Sequence, residues 1–420
     1  MLSHLELHNF KAFADVAIDI KPITVLLGPN NSGKSSLMAA LRLLTQTLES
    51  NDKQIPLLLN GIMGDFGTYQ DVVYGNDVTK PITIGFTSNS NLSLIINYHY
   101  YPKTREIILA KLVASEDKQL DKLVIQYNAI EKSHKINFSE MQLTPKFISH
   151  VILENFIPST YLLGNWGDIG NDDVKPIFYS IRDKIDNIYL KNIDYIGPMR
   201  NPPARTYLFS GERRSRIGMF GENAINILSM NANTPKGIKL AQSVNTWLTK
   251  AGIATDFQVT PLTDRHYEVK VQHPTTKEYQ NLADVGYGNS HVIPVLIGGY
   301  NLKAGAMYLV EQPEIHLHPR AQAELGDFFL ELYQNKVATM IETHSEHLVL
   351  RLQQHVANHL IPPDDIQFYY VYAKGEQKIA QPMHLDKQGR FIEEWPEGFF
   401  PERLAEAKNL SRLRAAHAEG

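Results

Sequence analysis

The chain has 420 residues, 43% of them apolar, a formal net charge of −4 and no cysteine. That length can bury one large core or two ordinary ones, since domains commonly run to about 100–200 residues. The lack of cysteine excludes disulfides, thiolate zinc sites and cysteine nucleophiles, and the near-neutral charge leaves nucleic-acid binding to a local basic patch. No apolar run approaches the roughly 20 residues that cross a bilayer, and the start, MLSHLELHNFKAF, lacks a signal-peptide core. A cytoplasmic protein without membrane attachment is expected.

In chain order, residues 2–27 read as two strands: LELHNF alternates apolar and polar positions, and ITVLL is a continuous buried run. A helix from Lys34 to about Thr47 follows. Between Pro81 and Asn128, ITIGF, LSLIINYHYY, EIILAKLVAS and KLVIQY are separated by short polar breaks, the spacing of antiparallel hairpins. Residues 146–190 read as mostly helical, and a basic passage rich in Pro and Gly (197–221) comes next. Helices are expected near 222–230 and 236–251, then strands in DFQVTPL and YEVKVQH. The last third alternates AMYLV, a helix over 319–335, VATMIET, a helix over 346–358, and IQFYYVYA. That βαβα order predicts a parallel sheet with helices on both faces.

The strongest chemical signal is Gly28 to Ser36, GPNNSGKSS, which matches G-x-x-x-x-G-K-[ST] between a buried strand and a helix. Gly28 and Gly33 let the backbone turn so that N–H groups from Asn30, Asn31 and Ser32 onward face phosphates at a helix N-terminus. Lys34 would neutralise the β- and γ-phosphates and Ser35 would place its hydroxyl on Mg²⁺, so ATP and Mg²⁺ are the expected ligands. Gln70, in the loop region after the first helix, could reach Mg²⁺ and the attacking water. NLADVGYGNSHVIP sets Gly286 and Gly288 just ahead of Ser290 and a helix-like run, a second helix N-terminus suited to phosphate. LVEQPEIHLHP ends a hydrophobic strand in Glu311, and VATMIETHSEH ends another in Thr343, His344 and Ser345, at the sheet edge where ligands bind in open α/β folds. His316 and His318 have an H-x-H spacing that could chelate zinc, but no third ligand stands at a motif-like spacing.

The basic passage RNPPARTYLFSGERRSR carries Arg200, Arg205, Arg213, Arg214 and Arg216 with Tyr207 and Phe209 interleaved. Such a pattern suits contacts to a DNA or RNA backbone and stacked bases. A solvated loop, or arginines serving nucleotide or subunit contacts, is the competing reading.

Phosphate loop, glycine signature, acidic strand end with HLHP, and strand-terminal THS, in that order, resemble the ABC-type ATPases of the RecF, SMC and OLD kind. With LELHNFKAF, IGPMRNPP and DKQGRFIEEWPEGFF, the chain more narrowly resembles the stand-alone AAA-type ATPases of prokaryotic anti-phage systems, over about residues 2–405. The resemblance implies an α/β fold, an ABC-ATPase head. Its N-terminal lobe (about 1–145) would hold the phosphate loop and β hairpins, a helical insertion (about 146–255) the basic loop, and a C-terminal lobe (about 256–420) the signature, acidic strand end and switch histidine.

It also implies an ATP-sandwiched homodimer, or a higher oligomer, in which Gly286, Gly288 and Ser290 cap the γ-phosphate bound to the partner and His344 senses it. Ser35, Gln70 and Glu311 would hold Mg²⁺, and Lys34, Glu311, Gln312, Glu314 and His344 would form the catalytic set. In that register Gln312 occupies the place of the water-activating carboxylate. An amide orients water but is no base, so losing one should forfeit roughly 10²–10⁴ in rate. Gln312 is native with slow turnover, or Glu314 supplies the carboxylate, or Gln312 is a substitution that traps ATP. The first is the expectation. The implied role is a sensor or scaffold for a separately encoded effector, a nuclease or toxin, in anti-phage defence. No nuclease is expected in this chain, because the residues after His344 are too few for a TOPRIM domain. A RecF-like repair ATPase that binds DNA directly, or a non-hydrolysing nucleotide-gated scaffold, is the alternative.

Overall fold

Ile23–Leu27 (β3), five consecutive buried residues, sits inside a six-stranded sheet and feeds the phosphate loop. The computed structural model describes residues 1–89, 92–116, 120–130, 132–138, 150–163, 179, 182–185, 189–208, 211, 214–232 and 234–395. The sheet runs Ile193–Ile196 (β13), Met307–Glu311 (β18), Ala338–Glu342 (β19), β3, Ile366–Lys374 (β20) and Gln377–Met383 (β21). The first five strands are parallel, and β21 turns back antiparallel. A parallel sheet is covered on both faces, which is why these strands read as unbroken apolar runs.

The strand period of two sorts their side chains into two cores. Leu26, Leu309 and Met340 join a cluster with the helix Lys34–Leu48 (α1). Their neighbours Val25, Val310 and Ile341 join another with the helices Tyr287–Asn301 (α5), Pro319–Gln334 (α6) and Glu346–Ala357 (α7).

The α1 core is roofed by a second, nine-stranded antiparallel sheet. Its strands are Leu2–Phe10 (β1), Phe13–Asp19 (β2), Ile82–Ser88 (β6), Leu92–Tyr101 (β7), Glu106–Glu116 (β8), Leu120–Asn128 (β9), Ser133–Phe138 (β10), His150–Glu154 (β11) and Ile157–Leu163 (β12). Two expectations are corrected here. Residues 2–27 form three strands, because the chain reverses at NFKA, with Asn9 and Lys11 in the left-handed region (φ 52° and 46°). Residues 150–163, read as helix, form the β11–β12 hairpin. Its reversal is set by Asn155, a left-handed residue (φ 60°) whose buried amide donates to the carbonyls of Asp52 and Ile55. Helix in the described part of 146–190 is found at 179 and 182–185, with a 3-10 turn opening at Tyr189, while 146–149, 164–178, 180, 181 and 186–188 lie outside the described residues.

The remaining pieces flank the second core. Ala224–Asn231 (α3) and Pro235–Lys250 (α4) fall where helices were expected, α4 opening on Pro235 with the Thr234 hydroxyl capping the Gly237 amide at 3.1 Å. A small sheet joins Tyr207–Leu208 (β14), Asp256–Pro261 (β15), His266–Gln272 (β16) and Tyr279–Asn281 (β17). Among the described residues no helix is long and apolar enough to cross a membrane.

Candidate nucleotide site

The loop between β3 and α1 accepts only glycine at its two bends. A Cβ on Gly28 (φ 135°) would lie 2.0 Å from the Val371 carbonyl oxygen, and one on Gly33 (φ 110°) would press on Ala12 and Phe13. Gly33 is also the N-cap of α1, with no side-chain cap and no acidic residue in the first turn. The helix therefore presents unsatisfied N–H groups and its positive dipole end to whatever the loop holds. Ser32 lies within the loop with its hydroxyl buried and unpartnered. Asn31 is left-handed (φ 61°), its carbonyl accepting from Lys378, and Ser36 is buried in the first helical turn.

Lys34 is 3% exposed and folds back over the loop. Its ammonium donates to the carbonyls of Gly28 (3.0 Å) and Pro29 (2.8 Å) and lies 3.8 Å from Glu342. Burial lowers its pKa, opposed chiefly by Glu342. Ser35 donates to Glu342 Oε2 at 2.7 Å.

Glu311 and Glu342 stand side by side, paired in register at the ends of β18 and β19. Glu311 Oε1 accepts from the Tyr195 hydroxyl (3.0 Å) and from Arg42 Nη1 (3.4 Å). The Arg42 guanidinium stacks 3.6 Å over the Tyr195 ring and donates to the Met63 carbonyl from Nε (2.9 Å) and Nη2 (2.6 Å). Burial, then the charge of Glu342, pushes Glu311 up to about 7, against the pull of Arg42, Tyr195 and Ser35.

Beyond Glu311 the backbone is strained and held. Gln312 adopts φ 45°, a left-handed conformation unfavourable to a side chain by roughly 1 kcal/mol. Its backbone N–H donates to the Glu342 carbonyl at 2.7 Å. Arg200, 6% exposed, donates from Nη2 to the carbonyls of Glu311 (2.8 Å) and Gln312 (3.1 Å), and burial lowers its pKa to about 10. Glu314 is buried and accepts from the backbone N–H of His344 at 2.7 Å, so it fixes the turn after β19. Burial raises its pKa. The His344 side chain projects to the surface, its pKa lowered by partial burial and then by the charge of Lys34. Ser345 caps α7 by accepting from the Leu348 amide at 3.1 Å.

The signature residues lie against the HLHP segment. Gly286 is the N-cap of α5, and a Cβ on Gly288 would come within 2.2 Å of the His316 carbonyl oxygen. Ser290 is buried one turn in, and His291 meets the His316 ring edge-on at 5.6 Å. Gly286, Gly288, His273, His316, His318 and Arg320 line a cavity of about 750 Å³, whose walls include no residue of the phosphate loop. Among the described residues no three His, Cys, Asp or Glu side chains are grouped for a metal ion. Glu311, Glu342 and Ser35 instead form a two-carboxylate set, which suits Mg²⁺ completed by phosphate oxygens and water.

Other expected residues fall elsewhere. Gln70 lies exposed on the short helix Tyr69–Val72 (α2), and the interactions of Ser35, Glu311 and Glu342 do not include it. The arginines of the expected nucleic-acid strip are spread across the fold. Arg200 is buried in the site, Arg205 pairs with Asp284 (2.6 and 3.1 Å), and Arg216 pairs with Glu49 and donates to the Lys191 carbonyl. Arg214 is exposed beside a cavity that also holds Glu49, Asp194 and Glu222, whereas Arg213 and Phe209 lie outside the described residues. Arg205 and Arg216 are thus paired with acids distant in sequence.

Residues 1–194 and 217–349 match the AAA ATPase domain family, AAA_15. The chain belongs to that family. With its phosphate loop on a parallel sheet and its antiparallel β lobe, this AAA ATPase has an α/β fold. Residues 361–410 match a second family described as a protein of unknown function, DUF3696. No curated protein matches. Among solved structures the chain is similar to an SMC head bound to the C-winged helix domain of ScpA, at 11% identity and TM-score 0.45, covering 92% of this chain and 98% of that one. It is similar also to the SMC head domain from Thermotoga maritima, at 10% identity and TM-score 0.39, covering 92% and 99%. A third is the SMC head domain with an extended coiled coil bound to the C-terminal domain of ScpA derived from Pyrococcus furiosus, at 12% identity and TM-score 0.42, covering 91% and 96%.

Sequence reasoning missed Arg42, Tyr195 and Glu342. Arg42 is two helical steps of four from Lys34 and so shares its face of α1. Glu342 ends its strand just as Glu311 does, and the rule that singled out Glu311 applies equally to it.

Proposed function

We propose that this ATPase binds Mg-ATP in the loop Gly28–Ser36, dimerises around it, and hydrolyses it slowly. The observation that carries this is the juxtaposition of an uncapped helix N-terminus, Lys34 and Ser35 with two in-register carboxylates. Bound with the nucleotide, Mg²⁺ would offset phosphate charge, held beside Ser35 at the paired carboxylate ends of β18 and β19. Lys34 exchanges its loop carbonyls for the β- and γ-phosphates. Gln312, fixed by Arg200 and the Glu342 carbonyl, orients the attacking water without accepting its proton, and Glu314 holds the backbone from which His344 reaches the γ-phosphate. Gly286, Gly288 and Ser290 meet the γ-phosphate of the partner, so the composite site closes only in the dimer.

The protein acts in the cytoplasm as a sensor or scaffold for a separately encoded effector, a nuclease or toxin of an anti-phage system. This rests on the motif order and on the AAA ATPase domain that spans most of the chain. The engaged states of Arg200, Arg205 and Arg216 weigh against direct DNA binding of the RecF kind.

Phosphate release and light scattering test the ATPase reading together. Wild type should dimerise with Mg-ATP and turn over well below one ATP per second, about the low end of ordinary enzymes, and Gln312→Glu should accelerate it roughly 10-fold or more. Rapid wild-type turnover, or no gain in Gln312→Glu, removes the assigned role of Gln312. Purification from the native operon tests the effector, which should co-elute.

A further inference from the structure

Glu311 ends the strand that sequence patterning marks as the metal-bearing one, yet β18 does not touch β3. The sheet order places β19 between them. Glu342, at the end of β19, is therefore one strand nearer the phosphate loop than Glu311. The side chains follow this order. Glu342 accepts a hydrogen bond from the Ser35 hydroxyl at 2.7 Å and faces Lys34 at 3.8 Å, whereas Glu311 accepts from Arg42 and Tyr195.

Charge balance separates the two carboxylates further. Glu311 has a buried counter-ion of its own, because Arg42 is fixed by the Met63 carbonyl and by the Tyr195 ring. The counter-ion of Glu342 is Lys34, the group that must turn to the phosphates when nucleotide binds. A buried carboxylate stripped of its cation is costly unless another replaces it. Meanwhile the Ser35 hydroxyl, donating its proton to Glu342, keeps its oxygen lone pairs for a cation.

We infer that Glu342, rather than Glu311, is the carboxylate that faces the divalent cation of the bound nucleotide, and that Glu311 positions the end of β18 through Arg42 and Tyr195. This rests on ATP binding at Gly28–Ser36.

The test is the gain in affinity for a fluorescent ATP analogue on passing from excess EDTA to Mg²⁺. Measured against its own EDTA affinity, Glu342→Gln should lose roughly 10-fold or more of the Mg²⁺ gain, and Glu311→Gln should lose less. A Glu342→Gln protein with the wild-type gain, or one weakened equally in EDTA and Mg²⁺, overturns the inference, the latter result making Glu342 only a latch for Ser35 and Lys34. A larger loss in Glu311→Gln overturns it too. If Glu342→Gln does not fold, Glu342→Asp carries the same comparison, with the same outcomes deciding. Wild type that binds the analogue in neither condition removes the ATP-binding reading itself, a result distinct from the others.

Discussion

The wall at the loop Gly28–Ser36 and the wall at Gly286 and Gly288 are built on opposite electrostatic plans. Around the loop, Lys34, Arg42 and Arg200 stand among Glu311, Glu314 and Glu342, so three cations meet three carboxylates in a largely buried cluster. Around Gly286 and Gly288 the cavity is lined by His273, His316, His318 and Arg320, and its described lining holds no carboxylate. The first wall sets cations against carboxylates and is fixed by mutual hydrogen bonds. The second is open, and its one permanently charged lining group, among the described residues, is Arg320. A cluster of paired charges is held rigid by its own bonds, and an unbalanced wall gains most from an anion brought to it from outside.

Three substitutions strain this contrast, beginning with the largest effect. Lys34→Ala removes the one cation of the loop wall that can move to phosphate, and should reduce ATP affinity and phosphate release by at least about 100-fold, read by analogue binding and a phosphate assay. Gly288→Ala acts on the other wall alone. Its Cβ would collide with the His316 carbonyl, so ATP-dependent dimerisation should fall by roughly 10-fold or more while the isolated chain keeps its ATP affinity, since the backbone cannot yield cheaply. Equal loss of both properties would mean that the two walls are one site within a single chain.

The third prediction concerns pH. Glu311 titrates near 7 when folded and near its ordinary value of 4.5 when unfolded. Between those values the folded state holds the extra proton, so this group's contribution is complete below about pH 4.5 and is lost as pH rises through 7, by up to about 3 kcal/mol. Denaturant titrations should show Glu311→Gln with a flatter decline than wild type across that window. An unchanged slope would indicate that Arg42 keeps Glu311 ionised throughout.

The phosphate loop and the strands of the parallel sheet were legible because their determinants are local. Gly28 and Gly33 are demanded by their own backbone angles, and ITVLL, MYLVE and ATMIE are apolar throughout because both their faces are covered. The ranking of the two carboxylates was not legible. Sequence gives β18 before β19, but which strand lies beside β3 is a matter of topology, and that alone brings Glu342 to Ser35. The pairings within the arginine strip were not legible for a related reason. Asp284 and Glu49, which neutralise Arg205 and Arg216, lie far away in the chain. The β11–β12 hairpin was missed because its turn depends on buried bonds from Asn155 to Asp52 and Ile55, contacts that no window of neighbouring residues contains.

The inward fold of Lys34 has a thermodynamic consequence. Its ammonium already satisfies two carbonyls and faces a carboxylate, so the arriving nucleotide substitutes for partners in place rather than filling a void. The enthalpy of that substitution is a difference between two sets of charge-assisted hydrogen bonds. Calorimetry should accordingly record a modest heat for the loop wall, with released water and ions contributing much of the affinity.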